Sequence, residues 1–267
     1  MKKSIFLIAA LLMGLFIIPS CVKTDKNNDS ELATSEDLAI QEGLSQEIDH
    51  STEIAIQERG GNGSCPTVTL DKPWGTWPNT LTIDYGPDGC AGPNGTHILK
   101  GKIIVHQTAD VFSTGATRTL SFEQFFIDGI QVEGTRSLTN NGLNAANQWS
   151  FTVTSTNVKL SYPDGSSQSW NQSHTVTLIE GGFNLNPWDD VWSTTGTASG
   201  VSREGIAYSA NITKALIKKT SCKWISEGEI EFSAGGNSAR VDFGDGDCDQ
   251  KGTLIFPNGD SIQITLK

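Results

Sequence analysis

Residues 65–267 predict an all-β domain: an antiparallel meander of hairpins that forms a sandwich, an open barrel or a curved sheet. Three observations predict it. From Cys65 onward Thr, Ser, Gly, Val, Ile and aromatics dominate, the residues that suit a pleated, half-buried surface. Apolar residues alternate with polar ones at period 2, the pattern of strands with one wet face. Tight-turn signals separate the runs at Asp128-Gly129, Pro163-Asp164-Gly165 and Pro257-Asn258-Gly259.

The alternating runs follow in order along the chain. Leu81, Ile83 and Tyr85 share a face, as do Leu99, Ile103 and Val105. Trp149, Phe151 and Val153 form the next such face, then Val158, Leu160 and Tyr162. Ile206, Tyr208, Ala210 and Ile212 form another. Ala239, Val241 and Phe243 precede the last set, Ile262, Ile264 and Leu266. No long helical period follows residue 64.

The two ends of this domain repeat one another. Ile83-Asp84-Tyr85-Gly86 leads to Cys90, and Val241-Asp242-Phe243-Gly244 leads to Cys248. Cys65 and Cys222 stand at matching distances upstream. The related units span 65–105 and 222–267. They point to local disulfides, Cys65–Cys90 and Cys222–Cys248; the rival pairing joins the units as Cys65–Cys222 and Cys90–Cys248. Asp84 and Asp242 sit just before turns, where a carboxylate can accept from backbone amides two residues on.

Upstream, the chain begins with Lys2 and Lys3, and Ile5 to Ile18 carries no charge. That apolar run is shorter than the roughly 20 residues a membrane helix needs. A basic start, a short apolar core and small residues at its end describe a secretory signal, here 1–20. The run ends Ile18-Pro19-Ser20-Cys21. This resembles the lipobox of bacterial lipoproteins, with Ile18 where that family usually has Leu. The resemblance implies cleavage before Cys21 and acylation of Cys21, which becomes a membrane anchor. Val22 after the Cys implies the outer membrane, and Lys23, Asp25, Lys26 and Asp29 loosely resemble a surface-export signal of Bacteroidota lipoproteins. The side of the membrane faced stays open, and a plain secretory signal is the alternative.

Residues 21–64 are expected to be an acidic, disordered tether. Positions 22–64 hold ten acidic and three basic residues and no aromatic, too little apolar surface to fold alone. Ile40, Leu44 and Ile48 fall on one helical face, a transient helix or a docking segment. Gly60-Gly61-Asn62-Gly63 closes the tether as a flexible joint.

Candidate sites are few. Trp188, Asp189, Asp190 and Trp192 combine aromatics with acids in one loop, a pattern that can stack and hydrogen-bond a sugar; core packing is the alternative role for such Trp. Asp245, Asp247 and Asp249 alternate as calcium ligands do, but the EF-hand Gly and Glu positions hold Gln250 and Phe256. A turn pinned by a disulfide is the other reading. The histidines, His50, His97, His106 and His174, show no zinc spacing. No nucleophile elbow, phosphate loop or dinucleotide fingerprint occurs. The chain is therefore read as a non-enzyme without a cofactor.

A net charge of −11 without clustered Lys or Arg argues against nucleic acid as partner. The expected function is an envelope-anchored lipoprotein with a binding or structural role, attached to the membrane by its N-terminal lipid. Its texture resembles lipoproteins of Bacteroidota that carry a charged linker before a β domain. A cell-surface glycan-binding accessory protein is one alternative, with a glycan or envelope protein as partner. An envelope lipid carrier is the other, and it requires an apolar groove on a curved sheet.

Overall fold

The structure, a computed structural model, describes residues 26–58, 65–93, 95, 97–182 and 186–266. The signal at 1–20, the anchor at Cys21 and the glycine joint at 60–63 lie outside the described residues.

Fourteen strands form one antiparallel sheet. They are β1 (Thr67–Leu70), β2 (Asn79–Asp84), β3 (Cys90–Ala91), β4 (Ile98–Gln107), β5 (Thr117–Ile127), β6 (Ile130–Leu143) and β7 (Trp149–Ser161). Then come β8 (Ser167–Glu180), β9 (Val191–Val201), β10 (Ala207–Lys219), β11 (Glu227–Ala234), β12 (Asn237–Asp245), β13 (Lys251–Ile255) and β14 (Ser261–Thr265). Each strand pairs with its neighbours in sequence, except that β2 pairs directly with β4 and β3 adds to β4. The end strands β1 and β14 do not pair with each other, so the meander is open.

A line of bulges crosses the sheet. Register shifts fall between Lys100 and Lys102 on β4, Ser121 and Phe125 on β5, Glu133 and Thr135 on β6, and Ser155 and Val158 on β7. Each bulge bends its strand and increases local twist. At the first of them Gly101 adopts φ 83°, and a Cβ there would collide with the backbone of Gln124. Only glycine allows the two strands to approach so closely.

The N-terminal segment differs from expectation. Lys26–Glu58 is a 33-residue helix, α1, not a disordered tether. Within 30–58 only Gln57 and Glu58 are exposed. Leu38, Ile40, Leu44 and Ile48 join strand residues such as Leu81, Val105, Leu120, Phe232 and Val241 in one hydrophobic core. Composition alone counts Asp37, Gln41, Asp49 and Glu53 as unpartnered, whereas Arg203, Tyr208, Arg136 and Arg118 meet them, so a helix too polar to fold alone is buried on the sheet.

Both local disulfides are formed. Cys65 and Cys90 are joined across a Cα separation of 6.0 Å, and Cys222 and Cys248 across 5.5 Å. Asp84 Oδ1 accepts from the Gly86 amide at 2.8 Å, and Asp242 Oδ1 from the Gly244 amide at 2.8 Å. The first ends β2; the second falls at a register shift inside β12, near its end.

Candidate functional site

Strand register decides which side chains share the face that α1 covers. One row runs Asn79, Gln107, Arg118, Leu138, Val153, His174 and Gly196 across β2 and β4 to β9. The next runs Leu120, Arg136, Ser155 and Gln172 across β5 to β8. Below them lie Phe151, Val176, Thr194 and Leu216, and then Leu178, Trp192 and Lys218. At Gly196 a Cβ would sit 3.0 Å from His174 Cδ2 and closer still to the backbone of β8, so only glycine fits beside that ring.

α1 lies over these rows and meets their charges with its own. Arg118 Nη1 donates to Glu53 Oε2 at 2.7 Å, while its Nε donates to Gln107 at 3.1 Å. Arg136 holds Asp49 with two parallel bonds, from Nε at 2.6 Å and Nη2 at 2.5 Å, and donates from Nη1 to Ser155 at 2.9 Å. Arg203, in the turn between β9 and β10, pairs with Asp37 through its guanidinium and its backbone amide. The Tyr208 hydroxyl donates to Gln41. Asp37, Gln41, Ser45, Asp49 and Glu53 recur every four residues. Such a row drifts around the helix by about 40° per step, and so crosses the strands obliquely from β10 to β5.

A cavity of about 550 Å³ remains between α1 and the middle of the sheet. Its apolar wall includes Leu138, Phe151, Val153, Val176, Leu178 and Trp192, none of which belongs to the contiguous core. Leu138, Val176 and Trp192 face inward yet stay only half-buried. The polar lining includes His50, Lys218, Asp190, His174 and the two arginine–carboxylate pairs. Phe112 and Gln57, both exposed, mark its opening to solvent.

Several lining groups lack partners or are strongly perturbed. Neither ring nitrogen of His50 has a hydrogen-bond partner, nor does either amide atom of Gln46 or the hydroxyl of Thr52. Burial pushes His50 down to about 4, with Lys218 acting in the same direction. Burial also pushes Lys218 down to about 8, against the attraction of Glu47. Asp190 is pushed up to about 6 by burial, although it accepts from the Gly182 amide at 2.9 Å. His174 lies 3.8 Å from Glu42, and burial holds its pKa below the ordinary value.

The Trp and Asp group singled out in the sequence gathers at this cavity in part. Trp192 and Asp190 line it. Trp188 stands outside, on a short turn of helix (Pro187–Asp189), 39% exposed and edge-on to His50 at 5.5 Å. Asp189 is exposed beside it. The three alternating aspartates are not brought together: Asp245 pairs loosely with Lys214 at 3.9 Å, Asp249 accepts from the Lys251 amide at 3.0 Å, and Asp247 faces solvent. Among the described residues no group of three or more His, Cys, Asp or Glu is placed to hold a metal ion.

Arg118, Arg136, His174, Lys218 and His50 were not singled out by chemistry in the sequence. A signal was present. Arg118 shares strand parity with Leu120, Arg136 with Leu138, His174 with Val176, and Lys218 with Leu216. A basic residue on the apolar parity of a strand points into the fold. Comparison of the chain with protein-family models, with curated proteins and with solved structures returns no match.

Proposed function

We propose that this chain is a non-enzymatic lipoprotein of the cell envelope, anchored through Cys21, whose curved sheet binds a small ligand in the cavity beneath α1. The observation that carries the binding role is the cavity itself. About 550 Å³ lies within the range of small-molecule sites, mostly apolar with a few convergent polar groups. The paired disulfides fit an oxidising compartment, which the export signal at 1–20 also requires. Native mass spectrometry of the protein purified from its own envelope, without detergent exchange, is expected to show a bound small molecule released on unfolding. A ligand-free mass from envelopes, together with no binding of apolar probes, would overturn the reading. Anchoring is tested separately: Cys21→Ser is expected to abolish incorporation of labelled palmitate and membrane retention.

A glycan-binding role is the second reading. Trp188 and Asp189 favour it, since both are exposed on one turn, with Trp188 edge-on to the cavity-lining His50. A Trp188→Ala variant that loses polysaccharide binding while keeping ligand in the cavity would support it.

A further inference from the structure

We propose that the cavity binds a single-chain amphiphile with a carboxylate head, its chain along Phe151, Val153, Val176 and Leu178 and its head on Lys218. This rests on the binding role just given and names the class of ligand.

Charge balance inside the cavity points to the head. Arg118 and Arg136 are each neutralised by a carboxylate of α1. Lys218 is buried, lines the cavity and forms no ion pair within 4 Å among the described residues. Its Nζ donates to the Lys223 carbonyl, leaving two further N–H groups. A buried cation with spare donors is costly unless an anion meets it. The charged groups nearest in effect are Glu47 from α1 and Lys223 from the segment before β11. Glu47 is itself engaged, accepting from Ser51 at 2.9 Å. His50, with both ring nitrogens unpartnered, lines the same space and offers a second donor to a carboxylate.

The shape of the wall points to the chain. Lys218 pairs in register with Trp192, and Trp192 with Leu178, so the cation begins an apolar row. Val176 and Phe151 are cross-strand partners in the next row, and Val153 follows on β7. From β10 back to β5 the wall crosses five inter-strand gaps, about 24 Å. That is a trough for one extended chain; Asn140 ends the Phe151–Val176 row on β6, and Thr194 continues it on β9.

The test uses the mature chain from position 21 with Cys21→Ser, so that its own lipid does not compete. Palmitate, hexadecanol and hexadecyltrimethylammonium, each below its critical micelle concentration, are titrated by calorimetry at pH 7. Palmitate is expected to bind one to one and the cationic probe to bind least. Lys218→Met is expected to weaken palmitate about tenfold to a hundredfold, the worth of one hydrogen bond to a charged group, and to leave hexadecanol unchanged. Lys218→Arg, which keeps the charge, is expected to restore most of the palmitate affinity and so separates a folding defect from a lost contact. Val176→Trp, which fills the trough, is expected to abolish both. Equal binding of all three probes, or indifference of palmitate to Lys218→Met, overturns the head assignment and leaves the cavity reading standing. No binding of any probe overturns both.

Discussion

At the scale of single residues, the face covered by α1 joins carboxylates of the helix to cations of the sheet. Asp49 and Arg136 are the clearest case, since the guanidinium is buried and its bonds to Asp49 are bidentate. Asp49→Ala leaves that charge buried and unpaired. It is expected to destabilise the protein by about 2–3 kcal/mol, less than for a wholly buried pair because Asp49 is partly exposed. Adding Arg136→Met should recover much of the loss, and urea midpoints of the two variants check it. His50 makes a second prediction. Its folded pKa, about 4, lies below its ordinary 6.5 because burial disfavours the cation. Between those values the unfolded chain binds the proton and the folded chain does not. Stability is therefore retained above pH 6.5 and falls as pH drops toward 4. His50→Gln is expected to flatten that slope in thermal melts across pH 4–6.5. Asp190, pushed up to about 6, contributes with the opposite sign, because the folded state holds its proton longer; its stabilising effect is lost as pH rises through about 6.

At the scale of elements, α1 decides the character of the whole face it covers. Its buried apolar residues lie beside a polar row, and both rows follow the four-residue period that winds obliquely over the strands. Neither row alone accounts for docking: the apolar row joins the core, and the polar row satisfies cations that the sheet turns inward. Leu44→Asp is expected to undock the helix by placing an unpaired carboxylate in the core. Hydrogen exchange should then rise across 30–58, and also in the β5–β8 segment that loses its cover. If exchange rose in the helix alone, the sheet would hold its shape without α1. Here too lies the clearest gap between composition and structure. Ile40, Leu44 and Ile48 showed a helical face in the sequence, yet the acids around them outweighed it in an average over the segment. What was missing was the partner for Asp37, Asp49 and Glu53, which sits between 65 and 166 residues away.

At the scale of the molecule, an open sheet of fourteen strands leaves two ends, and the repeated units stand at them. Each closes a short loop with a disulfide, which limits the unfolded chain most near the free edges. Replacing Cys222 and Cys248 together by Ser is expected to cost about 3 kcal/mol, by the entropy of a loop of this size. Calorimetric Tm of the variant against the parent measures it.

The amino-acid order by itself marks the strands β2, β4, β7, β10, β12 and β14, three of the turns and the duplicated ends, and through those ends it favours the local disulfides over the rival pairing. These rest on periods of two residues, on glycine and proline at turns and on spacings within a few tens of residues, all local quantities. The Trp and Asp residues at 188–192 stand out by composition over five positions, but which of them line the cavity does not show in that composition. The tertiary structure alone decided that the meander stays open, that α1 fills it and that a cavity remains. Openness depends on the bend accumulated over many strands, which no single run encodes. The cavity depends on which inward residues find partners across the chain. Lys218, placed on an apolar parity, signals only an inward charge; that no carboxylate among the described residues comes within 4 Å of it follows from where α1 comes to rest.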